Sequence, residues 1–196
     1  ARVLNHHNVE SQLFDRRVAH ERNALKRRYI ELEARKLGRY DATVVDEFDV
    51  NLAVSSLDAS RLKESCPAAR VELVPNGVDI EYFRPSHGPS AEPAHLIMVS
   101  GMNWYPNLDA VLYMVETIWP ILTRAIPEVR LTVVGARPPR RVTDMAARDP
   151  RITVTGFVDD IRPYMDRAQV YVCPMRDGGG TRLKVLDALS LAKPIV

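Results

Sequence analysis

Apolar positions follow two different rhythms along this chain. Between Ser11 and Val45, Leu25, Tyr29, Leu32, Leu37, Tyr40 and Val44 recur at roughly three- and four-residue steps in a polar background. That spacing predicts two helices, broken near residues 22–24 or at Gly38. Before them, Arg2 to Asn5 reads as the end of a strand, followed by the loop HHNVES. After them, short apolar runs at Val50 to Val54 and Val71 to Val74 read as strands. Ser55 or Ser56 is placed to cap a brief helix over residues 57–65. Pro75, Asn76 and Gly77 signal a turn. Residues 80–93 lose periodicity and gather Pro85, Gly88, Pro89 and Pro93, the composition of a linker.

From Leu96 onward the rhythm alternates. Strands are expected at residues 96–100, 129–134, 152–154 and 170–173. Helices are expected at residues 106–125, 142–148 and 161–167, and again after Thr181, with Pro106 suited to a first helical turn. Lys193 to Val196 begin a further strand. Strands alternating with helices imply an α/β fold with parallel sheets and right-handed crossovers. The expected division is residues 1–79, a linker at 80–93, and residues 94–196.

Composition narrows the classes. The chain has 196 residues, 46% of them hydrophobic, as in globular proteins. Lys+Arg total 27 against 25 Asp+Glu, a net charge of +2 that gives no footprint for nucleic acid. The basic residues concentrate in 11–45, where such a face is either solvated or turned toward anionic lipid. The two cysteines, Cys66 and Cys173, have no metal-ligand spacing and read as free thiols of a reducing, cytoplasmic compartment. No apolar run approaches the ~18 residues of a membrane span. Residues 1 and 196 both fall against apolar stretches, so the chain reads as an internal piece of a longer protein.

Candidate chemistry lies in DGGGTRLKVLDALSLAKPIV, residues 177–196. Gly178, Gly179 and Gly180 permit positive φ and close approach to a ligand. Thr181 is expected as the helix N-cap. Arg182 and Lys184 would then sit beside a positive helix end, an arrangement favoured only when an anion is also present. Asp187 interrupts the apolar run of Leu183, Val185, Leu186, Ala188, Leu189 and Leu191. Burying an acid there requires partners such as hydroxyls or a cation. Phosphate first and a hydroxyl-binding acid next is the order of a nucleotide sugar, and a tight turn with a surface salt bridge is the alternative. His6, His7, Asn8 and Glu10 cluster at the end of the first strand, where α/β sheets collect ligands. A histidine there serves as base or hydrogen-bond donor, or is simply solvated. The chain has no GxGxxG after the first strand of the second half, no GxxxxGK[ST], no HExxH and no Asp-x-Asp. No metal or cofactor is expected, so a bound diphosphate would be neutralised by backbone N–H groups and by Arg182 or Lys184.

The order of motifs PNGVD, MVSGMNWYPNLDAV, LTVVG, ITVTGFVDDI and VYVCPMRDGGGTRLKVLDALSLAKPIV resembles the retaining glycosyltransferases of family 4. The resemblance runs from about His7 to Val196. It implies a GT-B-like fold of two Rossmann-like parallel-sheet domains, here truncated at both ends. Residues 1–79 would be the C-terminal part of the acceptor domain, and 94–196 most of the nucleotide-sugar donor domain. It implies transfer of a hexosyl unit from a nucleotide-diphosphate sugar to a carbohydrate or lipid-linked acceptor without a metal, in polysaccharide or glycolipid synthesis. The piece alone is expected to be inactive. By position, Asp187 would hold the ribose, Phe157 and Val158 would read the base through their backbone, and Gly101 and Asn103 would line the donor loop. Gly178 to Thr181, Arg182 and Lys184 would take the diphosphate, and His7, with His6 second, would stand by the reacting sugar. Gly179 occupies the place of an acid that usually holds the donor sugar. That departure favours one alternative, a non-catalytic nucleotide-sugar binding module; a nucleotide-sugar 2-epimerase-like enzyme is the other. Peripheral contact with the inner face of a membrane through residues 11–45 is the further expectation.

Overall fold

The structure is a computed structural model that describes residues 1–86, 91–178 and 181–196. It divides into two units, Ala1–Gly77 with Asp177–Arg182, and Val78–Arg176 with Leu183–Val196. The segment 177–182, expected with residues 94–196, clusters with the first unit.

In the first unit, β1 (Val3–His6), β2 (Val50–Ala53) and β3 (Val71–Leu73) form a parallel sheet in that order. The two long helices are α1 (Glu10–His20) and α2 (Ala24–Asp46). The break falls at residues 21–23, where Asn23 caps α2 by accepting from the Lys26 amide at 3.0 Å. Gly38 does not break α2. A Cβ there would lie 3.9 Å from the Ser11 Cβ, so Gly38 is where α1 crosses closely. The Ser11 amide also donates to Asp41 at 3.2 Å. Ser55 caps α3 (Ser56–Ser65), accepting from the Asp58 amide at 3.1 Å while its hydroxyl donates to Asp58 at 2.6 Å. Val9, Val45, Ala53, Leu62 and Val71 form the buried core of this unit. The turn read at Pro75–Gly77 is displaced: residues 74–79 are irregular, and the turn falls at 80–83, closed by Phe83 N–H to the Asp79 carbonyl at 2.8 Å.

In the second unit the parallel sheet runs β6-β5-β4-β7, with β4 (His95–Val99), β5 (Arg130–Val134), β6 (Ile152–Gly156) and β7 (Val170–Tyr171). Residues 194–196 extend it beside β7, where Ile195 bridges Tyr171 in parallel. The helix expected over 106–125 is α4 (Tyr105–Tyr113), a π turn (Met114–Ile118) and α5 (Trp119–Ala125). Pro120 explains the wide turn, since it lacks an N–H and its ring would crowd the Glu116 carbonyl in a regular α-helix. The remaining helices are α6 (Arg140–Arg148), α7 (Arg162–Arg167) and α8 (Leu183–Ser190). One cluster, including Met98, Val111, Met114, Trp119 and Leu131, packs α4 and the π turn against the sheet. A second, including Ile97, Met165, Tyr171, Ala188 and Leu191, packs α7 and α8. Phe83 joins this second cluster, so residues 80–83 pack as part of the second unit. Among the described residues, no helix is long and apolar enough to cross a membrane.

Candidate functional site

In the second unit, β5 and β6 lie on one side of β4 and β7 on the other. The order in which strands are added reverses there, all of them staying parallel, and the carboxyl ends of β4 and β7 flank the kind of crevice in which α/β sheets place ligands. Ser100 and Gly101 leave β4 at this point. Gly135, at the end of β5, presses on them: a Cβ at 135 would stand 1.9 Å from the Ser100 carbonyl oxygen. The Ser100 amide donates to the Val134 carbonyl at 2.8 Å, and the Met102 amide to Ala136 at 3.1 Å.

Asn107, in the first turn of α4, organises this corner. Its Nδ2 donates to the Gly101 carbonyl at 2.9 Å, and its Oδ1 accepts from the Lys184 ammonium at 2.6 Å. Lys184 Nζ also reaches Ser100 Oγ at 3.4 Å. The cation of α8 is thereby held at the end of β4. Asp187 lies three residues on, along the same face of α8. It is half-buried, and that burial pushes its carboxyl above the usual carboxylate range. Asn103 is exposed, and its Oδ1 folds back toward Gly101. At the end of β6, Gly156 turns with φ +74°, leaving the Phe157 ring 74% exposed while Val158 packs into the Tyr171 cluster. Arg176 closes the loop after β7 by a two-bond pair with Asp109, at 2.6 and 3.1 Å, and by lying over the Tyr113 ring.

The remaining sequence-read residues sit in the first unit. His7 is exposed on the loop after β1. His6 is the better held of the two: its Nε2 lies 2.9 Å from Oδ1 of the fully buried Asn51. Asn51 Nδ2 donates to the Val45 carbonyl at 2.9 Å, which fixes the amide orientation. Nε2 of His6 therefore carries a proton and donates to Asn51. The Gly178 carbonyl accepts from Arg16. Thr181 is not the N-cap of α8, which begins at Leu183; its hydroxyl donates to the Val54 carbonyl at 3.2 Å. Gly179 and Gly180 lie outside the described residues. Asp177 is 2% exposed, with Oδ1 accepting from the Gly178 amide at 2.8 Å. Among the described residues, Asp177 Oδ2 and Arg182 Nε are buried without a hydrogen-bond partner, a state that costs free energy. Among those residues no group of His, Cys, Asp and Glu is placed to hold a metal ion.

The sequence reading joined Gly178, Thr181 and Arg182 to Lys184 as one phosphate cradle. The structure places the first three with one unit and Lys184 with the other. The reading missed Ser100, Asn107 and Asp177. Asn107 carried a faint signal, a polar residue straight after the helix-starting Pro106, whereas nothing local marked Ser100 or the burial of Asp177.

The model of one protein family, glycosyl transferases group 1, matches residues 93–196. A search of curated proteins finds no match. Among solved structures, that of Anabaena Alr3699/HepE in complex with UDP and glucose is similar at TM-score 0.66 and 14% identity, covering 98% of this chain and 51% of that one. The pneumococcal O-GlcNAc transferase GtfA in complex with UDP and GlcNAc is similar at TM-score 0.62 and 17% identity, over 80% of this chain and 31% of that one. Staphylococcus aureus TarM, crystallised as a mutant with fondaparinux, α-GlcNAc-glycerol and UDP, is similar at TM-score 0.66 and 12% identity, over 82% and 32%. The α/β fold with parallel sheets is that of GT-B glycosyltransferases. The chain spans about a third to a half of the length of these structures.

Proposed function

The chain belongs to the glycosyl transferases group 1 family, and from that premise we propose that its whole protein moves a hexosyl unit from a nucleotide-diphosphate sugar to a carbohydrate or lipid-linked acceptor, with retention of configuration. The observation that supports this most directly is the Lys184 ammonium, held by Asn107 and Ser100 at the switch point of the second sheet, with Asp187 on the same helix face. A cation fixed there stabilises negative charge growing on a leaving diphosphate. Asp187 accepts from the ribose hydroxyls, and the backbone at Phe157 and Val158 meets the base. Gly101 and Asn103 line the donor loop. Gly178 to Gly180, Thr181 and Arg182 supply further donors to phosphate, and His7 orients the reacting sugar. No metal takes part in this reading. Its setting is polysaccharide or glycolipid synthesis in the cytoplasm, peripheral at the inner face of a membrane through residues 11–45.

The test is calorimetric titration of the full-length protein with UDP, the nucleotide named in the neighbouring structures. Lys184→Ala and Asp187→Ala are each expected to weaken UDP at least about tenfold, near 1.4 kcal/mol. Unchanged affinity in both variants overturns the site. Gly179, standing where the resemblance expects an acid, favours a second reading as a non-catalytic nucleotide-sugar module. Turnover assays with UDP-sugars separate the two, since only a transferase releases UDP with sugar on an acceptor. An epimerised donor would indicate the epimerase instead.

A further inference from the structure

The helix α2 buries one side, through Ile30, Ala34 and Val45, against its own unit. Its opposite side is exposed and unusual in composition. Leu25 is 83% exposed, Tyr29 64%, Leu32 48% and Tyr40 63%. With Lys36 these follow one another at steps of three and four residues, so they share a single helical face. Arg28, Arg35 and Arg39 run along the neighbouring ridge of the helix, three or four residues from Leu25, Leu32 and Lys36, and every one of them is exposed. Of the acids of this stretch, Glu33 falls on the exposed side, three residues before Lys36, and Glu31 lies toward the buried side. Glu31 pairs with Arg27 at 3.2 Å and Glu33 with Lys36 at 2.8 Å. Arg22, Arg27, Arg28 and Arg35, with the acids Glu21 and Glu31, line a groove of about 510 Å³ beside the start of the same helix, with Leu32 at its wall.

We infer that this face of α2 is a docking surface for an anionic phospholipid bilayer, with Leu25, Tyr29, Leu32 and Tyr40 entering the headgroup boundary and Arg28, Arg35, Lys36 and Arg39 engaging lipid phosphates. Charge complementarity selects this occupant. An exposed side carrying four cations against one acid, Glu33, with four exposed apolar or aromatic side chains has the composition of a helix lying in a membrane interface. Tyrosine belongs at that depth, and long cationic side chains reach past their apolar stems to the phosphates. A surface meant only for water would not repeat large apolar groups along one face of 23 residues. The inference deepens the peripheral-membrane part of the proposed function and is independent of its chemistry.

The experiment is co-sedimentation of the full-length protein with vesicles of phosphatidylcholine alone or mixed with phosphatidylglycerol. Binding to the mixed vesicles is expected to exceed binding to phosphatidylcholine at least tenfold and to fall with added salt. Each cation near an anionic surface is worth about a fivefold change in affinity. The triple variant Arg28→Glu, Arg35→Glu, Arg39→Glu should therefore lose on the order of a hundredfold. The double variant Leu25→Ser, Tyr29→Ser should also weaken binding while leaving the UDP affinity of the same preparation unchanged, so a loss of UDP binding alone would count against the donor site and not against this surface. Equal binding to both vesicle types, or a triple variant that binds as the parent does, overturns the inference. So does a parent dimer that the double variant converts to a monomer, which would assign the face to a second copy of the chain.

Discussion

Gly135 stands where the fold leaves no room for a side chain. Any Cβ there would collide with the Ser100 carbonyl, so Gly135→Ala must push the β4 loop away or strain the end of β5. The expected outcome is a loss of about 1–3 kcal/mol in urea unfolding, together with weaker UDP binding as Ser100 moves from Lys184. Asn51 offers a contrasting case. Asn51→Leu keeps the branched shape but strands the Val45 carbonyl and the His6 nitrogen, at a cost of about 1–3 kcal/mol. Readings from the sequence succeed at this scale only where a residue's role is local. Gly135 is visible as the stop of an apolar run, but that its hydrogen is the only atom tolerated depends on Ser100, far away in the chain. His6 and His7 look alike in sequence, and only Asn51 in the neighbouring strand distinguishes them.

Among the elements, β4 carries chemistry at both ends. At its amino end His95 is buried, with Nδ1 3.1 Å from Glu92 and Nε2 2.8 Å from Thr132. Glu92 also faces Arg130 at 3.0 Å and Arg167 at 3.9 Å. Burial holds the His95 imidazole below its usual pKa, and this outweighs the opposing pull of Glu92, with Arg130 adding to the lowering. The neutral ring is the folded form, so the unfolded chain binds the proton more readily. Stability from this group is complete above the ordinary histidine pKa near 6.5 and declines as pH falls below it, by at most about 1.4 kcal/mol per pH unit. Urea midpoints at pH 7.5 and 5 should show the decline, and His95→Gln should flatten it. Element types were legible because the apolar rhythms were clean. The strand at 170–173 came out shorter, and the helix at 106–125 acquired a π turn, since Pro120 acts through the Glu116 carbonyl and no periodicity records that.

For the molecule as a whole, the cores are unequal. The first unit buries Val9, Val45, Ala53, Leu62 and Val71, whereas the second has a larger cluster on α4 and the π turn and another on α7 and α8. A smaller core is the less stable one. Urea unfolding followed by circular dichroism should therefore show an early transition absent from tryptophan fluorescence, because Trp104 and Trp119 both belong to the second unit. Leu62→Ala should move only the early transition, by about 2–5 kcal/mol. A single coincident transition for both probes would refute independent melting. The parallel α/β character of both units could be read from the sequence, but the assignment of residues 177–182 could not, because chain continuity favours the neighbouring strand while contacts favour the other unit.

The packing of residues 80–83 bears on how relatives of this protein can be recombined. Phe83 sits in the α7–α8 cluster, its carbonyl accepts from Ser190 at 2.6 Å, and Arg162 stacks over Tyr82 at 4.0 Å. A chimaera that swaps the second unit should therefore cross over at Gly77, so that this strap travels with its own helices. A crossover at Pro93 would graft one parent's aromatic pair onto the other parent's cluster.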